Sequence, residues 1–297
     1  MLPNVHPAKI WLLAARPKTL AAGLTPVLIG SALAAGAGAF HLTAALCAGL
    51  GALLIQIGAN FANDYFDFVK GTDTEDRVGP LRATQAGLVA PKTMLAATII
   101  VFALAFLPGG WLIYRAGWPL LAIGVISVVC GLLYTGGPYP LGYLGLGDVF
   151  VLVFFGPVAV GGTYYVQALE LPTEVLIAGL MPGLFSTAIL TVNNLRDADT
   201  DVRTGKRTLA VRFGKGFARW EYLVCIVLAA GVIPVYLCAR AGGNWAALAG
   251  CLVLLPAARM IRTVFTSADG ETLNTVLANT GKALLIFGLL FSAGWLW

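Results

Sequence analysis

Charge is scarce along this 297-residue sequence: Asp, Glu, Lys and Arg make up 11% of it, against 59% hydrophobic residues. A soluble domain of this length needs more polar surface than that, so the scarcity, with a mean hydropathy of +0.85, excludes a water-soluble fold. CxxC spacing is missing. The five cysteines (Cys47, Cys130, Cys225, Cys238 and Cys251) fall in or beside apolar runs, as small fillers and not as a zinc site or disulfide framework. The two histidines, His6 and His41, stand alone without metal-ligating neighbours. No small-residue cleavage site and polar mature chain follow the first apolar run, which begins near Thr19, so it reads as a retained helix and not a signal peptide. The net charge of +5 does not call for nucleic acid, because in a membrane chain basic residues mark the cytoplasmic loops.

What the sequence has instead is a succession of apolar runs of about 20 residues, each long enough to cross a bilayer as a helix. Gly, Pro and charge punctuate them, which predicts an all-α, multi-pass bundle of nine transmembrane helices at roughly 18–39, 43–68, 92–114, 118–136, 147–168, 173–197, 216–239, 244–265 and 275–297. Sixteen of the nineteen Lys and Arg residues then lie on one side, in segments 9–18, 70–92, 196–219 and 259–262, against Arg115 and Arg240 on the other. This bias places the N-terminus in the cytoplasm. The remaining cation, Lys282, lies near the cytoplasmic end of the ninth predicted helix and is expected to snorkel.

Two acidic clusters break the apolar pattern, both at cytoplasmic helix ends. In NFANDYFDFVKG, Asn60, Asn63, Asp64 and Asp67 share one helical face, Gly71 is a helix stop and Asp73 follows in the loop. In VNNLRDADTD, Asn193, Asp197 and Asp201 share a face. Asn63 and Asp67 precede Asn193 and Asp197 by 130 residues, which suggests one domain over 1–297 built from two repeated halves, about 18–136 and 147–265, plus the ninth helix. Clustered carboxylates repel unless a cation lies between them, and Mg²⁺ is bound by one or two carboxylates plus phosphate oxygens. Lys70, Arg77 and Arg82 follow the first cluster, and Lys206 and Arg207 the second. Carboxylates and fixed cations together suit a metal-bound diphosphate. A calcium loop at 197–201 fails, because Val202 stands where Gly is needed and Thr208 where Glu is needed. A divalent-cation or anion transporter would also gather carboxylates, but here they sit at one side of the membrane.

The patterns N-x-x-x-D at 63–67 and D-x-x-x-D at 197–201 resemble the UbiA-type intramembrane aromatic prenyltransferases. RPKTLAAGLTPVLIG (16–30), NDYFDFVKGTD (63–73), RVGPLRATQAGLV (77–89) and NNLRDADTDVRTGKRTLAVRFG (193–214) resemble the members that prenylate 1,4-dihydroxy-2-naphthoate in menaquinone synthesis, including Gly71 with Asp73 in place of an aspartate at 71. The resemblance implies Mg²⁺ ions held by Asn63, Asp67, Asp197 and Asp201, with Asp64 and Asp73 as helpers. It implies a polyprenyl diphosphate as donor, and Lys206 neutralising charge on the leaving diphosphate. It further implies attack by the naphthoate ring with loss of CO₂, in the cytoplasmic (inner) membrane with the site facing the cytoplasm. Other acceptors, of the 4-hydroxybenzoate or homogentisate type, remain the alternative. Phe61, Tyr65, Tyr134 and Tyr139 are candidate aromatic faces for an allylic cation. Asp148 reads as a helix N-cap. Arg16 and Lys18 read as a topology signal that could also meet the naphthoate carboxylate. The loop 71–91 is expected to be mobile without ligand and to close over the site through Arg77 or Arg82.

Overall fold

The computed structural model describes residues 6–72, 79, 81–240, 242 and 244–297, and the regular structure among them is all helical. A short helix α1 (Pro7–Ala15) precedes α2 (Pro17–Gly36), α3 (Leu42–Val69), α4 (Pro91–Ala116), α5 (Trp118–Leu133), α6 (Gly147–Ala168), α7 (Thr173–Arg203), α8 (Leu209–Arg240), α9 (Trp245–Thr266) and α10 (Gly270–Trp295). Among the described residues eight helices are long and apolar enough to cross a membrane; α5, with 16 residues, is shorter.

Most boundaries fall where the sequence signals put them. Pro17 and Pro91 open α2 and α4 at a position whose N–H lacks a helical partner in any case. Three differences matter. α1 was not expected; its Ile10, Trp11 and Ala14 pack on Phe61 and Met94, with the Trp11 and Phe61 rings 5.4 Å apart. α7 runs on to Arg203, so at 31 residues it is roughly 46 Å long against a hydrocarbon core of roughly 30 Å. α10 begins at Gly270, five residues before the expected start.

α3 and α7 end in the same way. In α3, Gly71 (φ 67°) donates to Phe68 O and Thr72 N donates to Asp67 O at 3.0 Å. In α7, Gly205 (φ 75°) donates to Val202 O and Lys206 N donates to Asp201 O at 2.9 Å. Both are Schellman caps, which need a left-handed residue and so favour glycine. Counted from the caps, Asp67 corresponds to Asp201 and Asn63 to Asp197. The two acidic ends therefore correspond at an offset of 134, one helical turn from the offset of 130 that matched asparagines suggest. Gly71 occupies the cap position of Gly205.

The main core joins α2, α6, α7, α8, α9 and α10 around Phe185, Tyr222, Phe287 and Phe291, all fully buried. α6 bends at Gly156–Pro157 and lies against α7 so closely that a Cβ on Gly183 would stand 2.5 Å from Leu152 O. Small residues at the crossing allow this approach. α5 packs on α3 and α4 and has no fully buried residue of its own. Large apolar side chains such as Leu107, Tyr114 and Trp118 point outward, as a lipid-facing surface requires.

Candidate functional site

One cavity of about 640 Å³ runs through the bundle between α2, α3, α4, α5, α6 and α7. At the end where α3 and α7 finish, its wall carries Asn63, Asp67, Asn193, Asp197, Asp201 and Lys206. Towards the other end the wall is apolar, with Leu112, Ile113, Leu120 and Val158 among its residues. The two caps bring the acidic faces to one place from positions more than 120 residues apart.

Asp67 is 2% exposed and is the most heavily engaged carboxylate. Arg82 Nη2 donates to its Oδ2 at 2.8 Å, Tyr143 Oη donates to its Oδ1 at 2.6 Å, and Thr72 Oγ1 lies 3.3 Å from Oδ1. Lys206 Nζ stands 4.0 Å from Asp67 Oδ1 and 4.0 Å from Asp201 Oδ1, bridging the two helix ends. It also lies 4.8 Å from the centre of the Tyr143 ring. Asp197 takes both arms of Arg196, Nε at 2.7 Å and Nη2 at 2.5 Å. Arg196 also donates to Asn193 Oδ1 at 2.8 Å and to Asn274 Oδ1 on α10 at 2.5 Å. A bidentate guanidinium fixes the carboxylate plane and the adjacent amide together.

Several expected residues are placed differently. Asp64 does not face the cavity: its two oxygens accept from Ala83 N and Thr84 N, both at 2.9 Å, so it pins the loop after α3. Lys70 points to the loop 134–146, donating to Thr135 O at 2.6 Å and Gly137 O at 3.0 Å. Burial lowers its pKa, the Lys206 charge adds to that, and Asp67 opposes it. Arg207 is exposed and contributes its backbone N–H to Tyr143 O at 2.8 Å. Tyr139 is 75% exposed and lies off the cavity. Phe61 and Tyr65 pack against α1 and α4. Asp148 lies in the first turn of α6, where the cap position is Leu146. Asp73 and Arg77 lie outside the described residues. The described part of the 71–91 loop is docked, with Arg82 7% exposed beside Asp67.

Others line the cavity or stand beside it. Tyr134 lines the cavity, and burial, then the carboxylates of Asp148, Asp67 and Asp201, raise its phenol pKa, so it offers a neutral ring. Asn63 Oδ1 accepts from Thr135 Oγ1 at 2.9 Å. Arg16 and Lys18 line the cavity at the entry to α2, where Arg16 has a left-handed backbone (φ 53°). Beside them Asn60 ties α3 to the N-terminal segment, donating to Ala15 O and Thr19 Oγ1, both at 3.0 Å. Tyr143 and Arg196 were not singled out from sequence. Arg196 carried a signal, being flanked by Asn193 and Asp197 on one helix; Tyr143 lies in the Gly- and Pro-rich stretch 134–148, whose lack of Lys and Arg on the predicted cytoplasmic side marks it as a compact loop near the site without pointing to the tyrosine itself.

The donors facing the cavity are oxygens, which fits a hard cation such as Mg²⁺. Among the described residues no three Asp, Glu, His or Cys side chains converge to hold a metal alone. Such a donor set leaves coordination positions for water and for phosphate oxygens.

The family model described as the UbiA prenyltransferase family matches residues 23–280. A 1,4-dihydroxy-2-naphthoate octaprenyltransferase of Haemophilus influenzae is 38% identical over 294 residues, covering 96% of this chain and 95% of that protein. A protein of the same name from Mycobacterium tuberculosis is 40% identical over 280 residues, covering 94% of each. Among solved structures, a UbiA homolog from Aeropyrum pernix K1 has a TM-score of 0.66 at 16% identity, covering 94% of this chain and 97% of that one. One from Archaeoglobus fulgidus bound to DMAPP and Mg²⁺ has a TM-score of 0.60 at 15% identity, covering 95% and 99%. These structures share the fold, and on the match over most of its length the chain belongs to the UbiA prenyltransferase family.

Proposed function

We propose that this chain transfers a polyprenyl group from polyprenyl diphosphate to 1,4-dihydroxy-2-naphthoate, releasing CO₂ and diphosphate and giving demethylmenaquinol for menaquinone synthesis. The observation that carries this reading is one continuous cavity with two acidic helix ends and Lys206 at one end and an apolar corridor at the other. That shape suits a donor with an anionic head and a long hydrocarbon tail. The same end holds Arg16 and Lys18, cations suited to the acceptor's carboxylate. We read the chain as one domain crossing the inner membrane nine times, with its N-terminus and its site on the cytoplasmic side. The 16 residues of α5 make the shortest crossing.

Asn63, Asp67, Asp197 and Asp201 would hold Mg²⁺, with Asp73 nearby in sequence; Asp64 leaves the set because it does not line the cavity and its oxygens face the amides of Ala83 and Thr84. The metal, when bound, supplies Lewis-acid stabilisation of the leaving diphosphate. Lys206 adds a fixed positive charge where that negative charge grows. Arg196 orients Asn193 and Asp197, and Tyr143, Thr72 and Arg82 orient Asp67. The allylic C–O bond breaks and its electron pair leaves with diphosphate. Tyr134 and Tyr143 present π faces to the allylic cation. The naphthoate ring carbon bearing the carboxylate forms the new C–C bond. The electron pair of the C–CO₂ bond then returns to the ring as CO₂ departs. An acceptor bound as its carboxylate therefore loses no net proton, so the transfer needs no dedicated base.

The deciding experiment incubates purified protein with Mg²⁺, a polyprenyl diphosphate and dihydroxynaphthoate, following diphosphate release and the lipophilic quinol. Parallel reactions with 4-hydroxybenzoate and homogentisate test the acceptor. Turnover with either of those and none with dihydroxynaphthoate would overturn the assignment.

A further inference from the structure

A second cavity, of about 460 Å³, lies between α9 and α10 and belongs to neither acidic cluster. Arg259, Asn279 and Lys282 form its polar part. Lys282 is exposed and lies twelve residues into the 26 of α10, roughly 18 Å along the axis. This is the middle of the helix and not its end, because α10 starts earlier than the apolar pattern suggests. Arg259 is also exposed, and among the described residues neither cation has a carboxylate within 4.0 Å. Two uncompensated cations on the outer face of membrane-length helices are costly unless an anion accompanies them.

The rest of the groove is apolar. Ile286 and Leu290 follow Lys282 at i+4 and i+8, on the same face, and Leu252 lies two turns before Arg259 on α9. A head held at the cations would therefore have its chain laid along both helices, away from the basic end. The basic end is the side on which α10 meets the active-site network, through Asn274 and Arg196. We propose that this groove binds an anionic phospholipid of the surrounding bilayer, its phosphate held by Arg259, Lys282 and Asn279 and an acyl chain lying along Leu252, Ile286 and Leu290. The two cations require negative charge on the head, and phosphate offers acceptors to all three donors. The apolar wall requires a chain, which selects a lipid over a free phosphate.

The test is native mass spectrometry of the detergent-purified protein titrated with phosphatidylglycerol or phosphatidylcholine. The wild type is expected to retain phosphatidylglycerol at roughly tenfold lower concentration than phosphatidylcholine, and Arg259→Gln/Lys282→Gln to lose that preference. Prenyl transfer by the double variant in phosphatidylcholine bilayers should stay within about twofold of wild type, since neither residue lines the active-site cavity. If the double variant does not fold, Lys282→Met alone should reduce the preference and Lys282→Arg should keep it. Equal retention of the two lipids by wild type would overturn the proposal, leaving only an apolar groove. An unchanged preference in the variants would also overturn it. So would equal competition by glycerol phosphate, which means a plain anion site, or by prenyl diphosphate, which means a second donor site.

Discussion

Tyr143 donates a 2.6 Å hydrogen bond to Asp67 from 76 residues further along the chain. Lys206 and Lys70 stand 4.8 and 5.1 Å from the centre of the same ring. One tyrosine thus links the α3 acidic end, the cation after α7 and the α5–α6 loop. Tyr143→Phe keeps the ring and removes the hydroxyl from a charged partner, worth about 1.5–3 kcal/mol. Steady-state kinetics should show kcat/KM for the prenyl diphosphate falling roughly tenfold or more. A wild-type rate would mean that the hydrogen bond does not position Asp67 for the reaction.

Asp64 and Asp201 should part company in a magnesium titration. Asp201→Asn removes a proposed metal-holding oxygen charge and should raise the Mg²⁺ concentration needed for half-maximal rate roughly tenfold. Asp64→Asn loosens the loop at Ala83–Thr84 and should lower the rate with the Mg²⁺ requirement nearly unchanged. Identical shifts in the two variants would put Asp64 back among the ligands.

Lys206→Gln removes the cation shared by Asp67 and Asp201. Loss of one charge-assisted hydrogen bond to diphosphate costs about 1.5–3 kcal/mol, or roughly ten- to hundredfold in kcat/KM for the donor. The KM for dihydroxynaphthoate should move far less. Equal damage to both substrates would indicate that Lys206 only holds the two helix ends together.

Arg196→Lys should be poorly tolerated despite keeping the charge. The Arg196 side chain is 1% exposed and serves Asn193, Asp197 and Asn274 at once, which an ammonium cannot do in one geometry. Thermal unfolding in detergent should show destabilisation of about 2–4 kcal/mol, together with a higher Mg²⁺ requirement. A stable variant with normal metal dependence would show that Asp197 needs no such clamp.

Gly183→Ala tests the α6–α7 approach without touching the site. Its Cβ would meet Leu152 O at 2.5 Å, and backbone cannot turn aside as a side chain does. The expected cost is about 1–3 kcal/mol in unfolding free energy, with the Mg²⁺ requirement unchanged. An unaltered melting temperature would mean that the two helices separate at little cost.

The sequence alone determined that the chain is a helical membrane protein, where most helices begin, and that two acidic helix ends interrupt the apolar pattern. Those conclusions rest on hydrophobic run length and on side chains repeating every three or four residues, which are local properties. Tertiary structure decided the rest. Sequence spacing cannot separate an offset of 130 from one of 134, because residues four apart share a helix face; only the caps at Gly71 and Gly205 fix the register. Spacing also put Asp64 on the face of Asp67, where the resemblance makes it a helper to the metal, although the amides of the 83–84 loop occupy its oxygens. Tyr143 reaches Asp67 through a loop with no periodicity to read, and the helical start of α10 moved Lys282 from an end to mid-helix. Each of these depends on which distant segment folds against a helix, and that is set by packing across the bundle and not by the residues alongside.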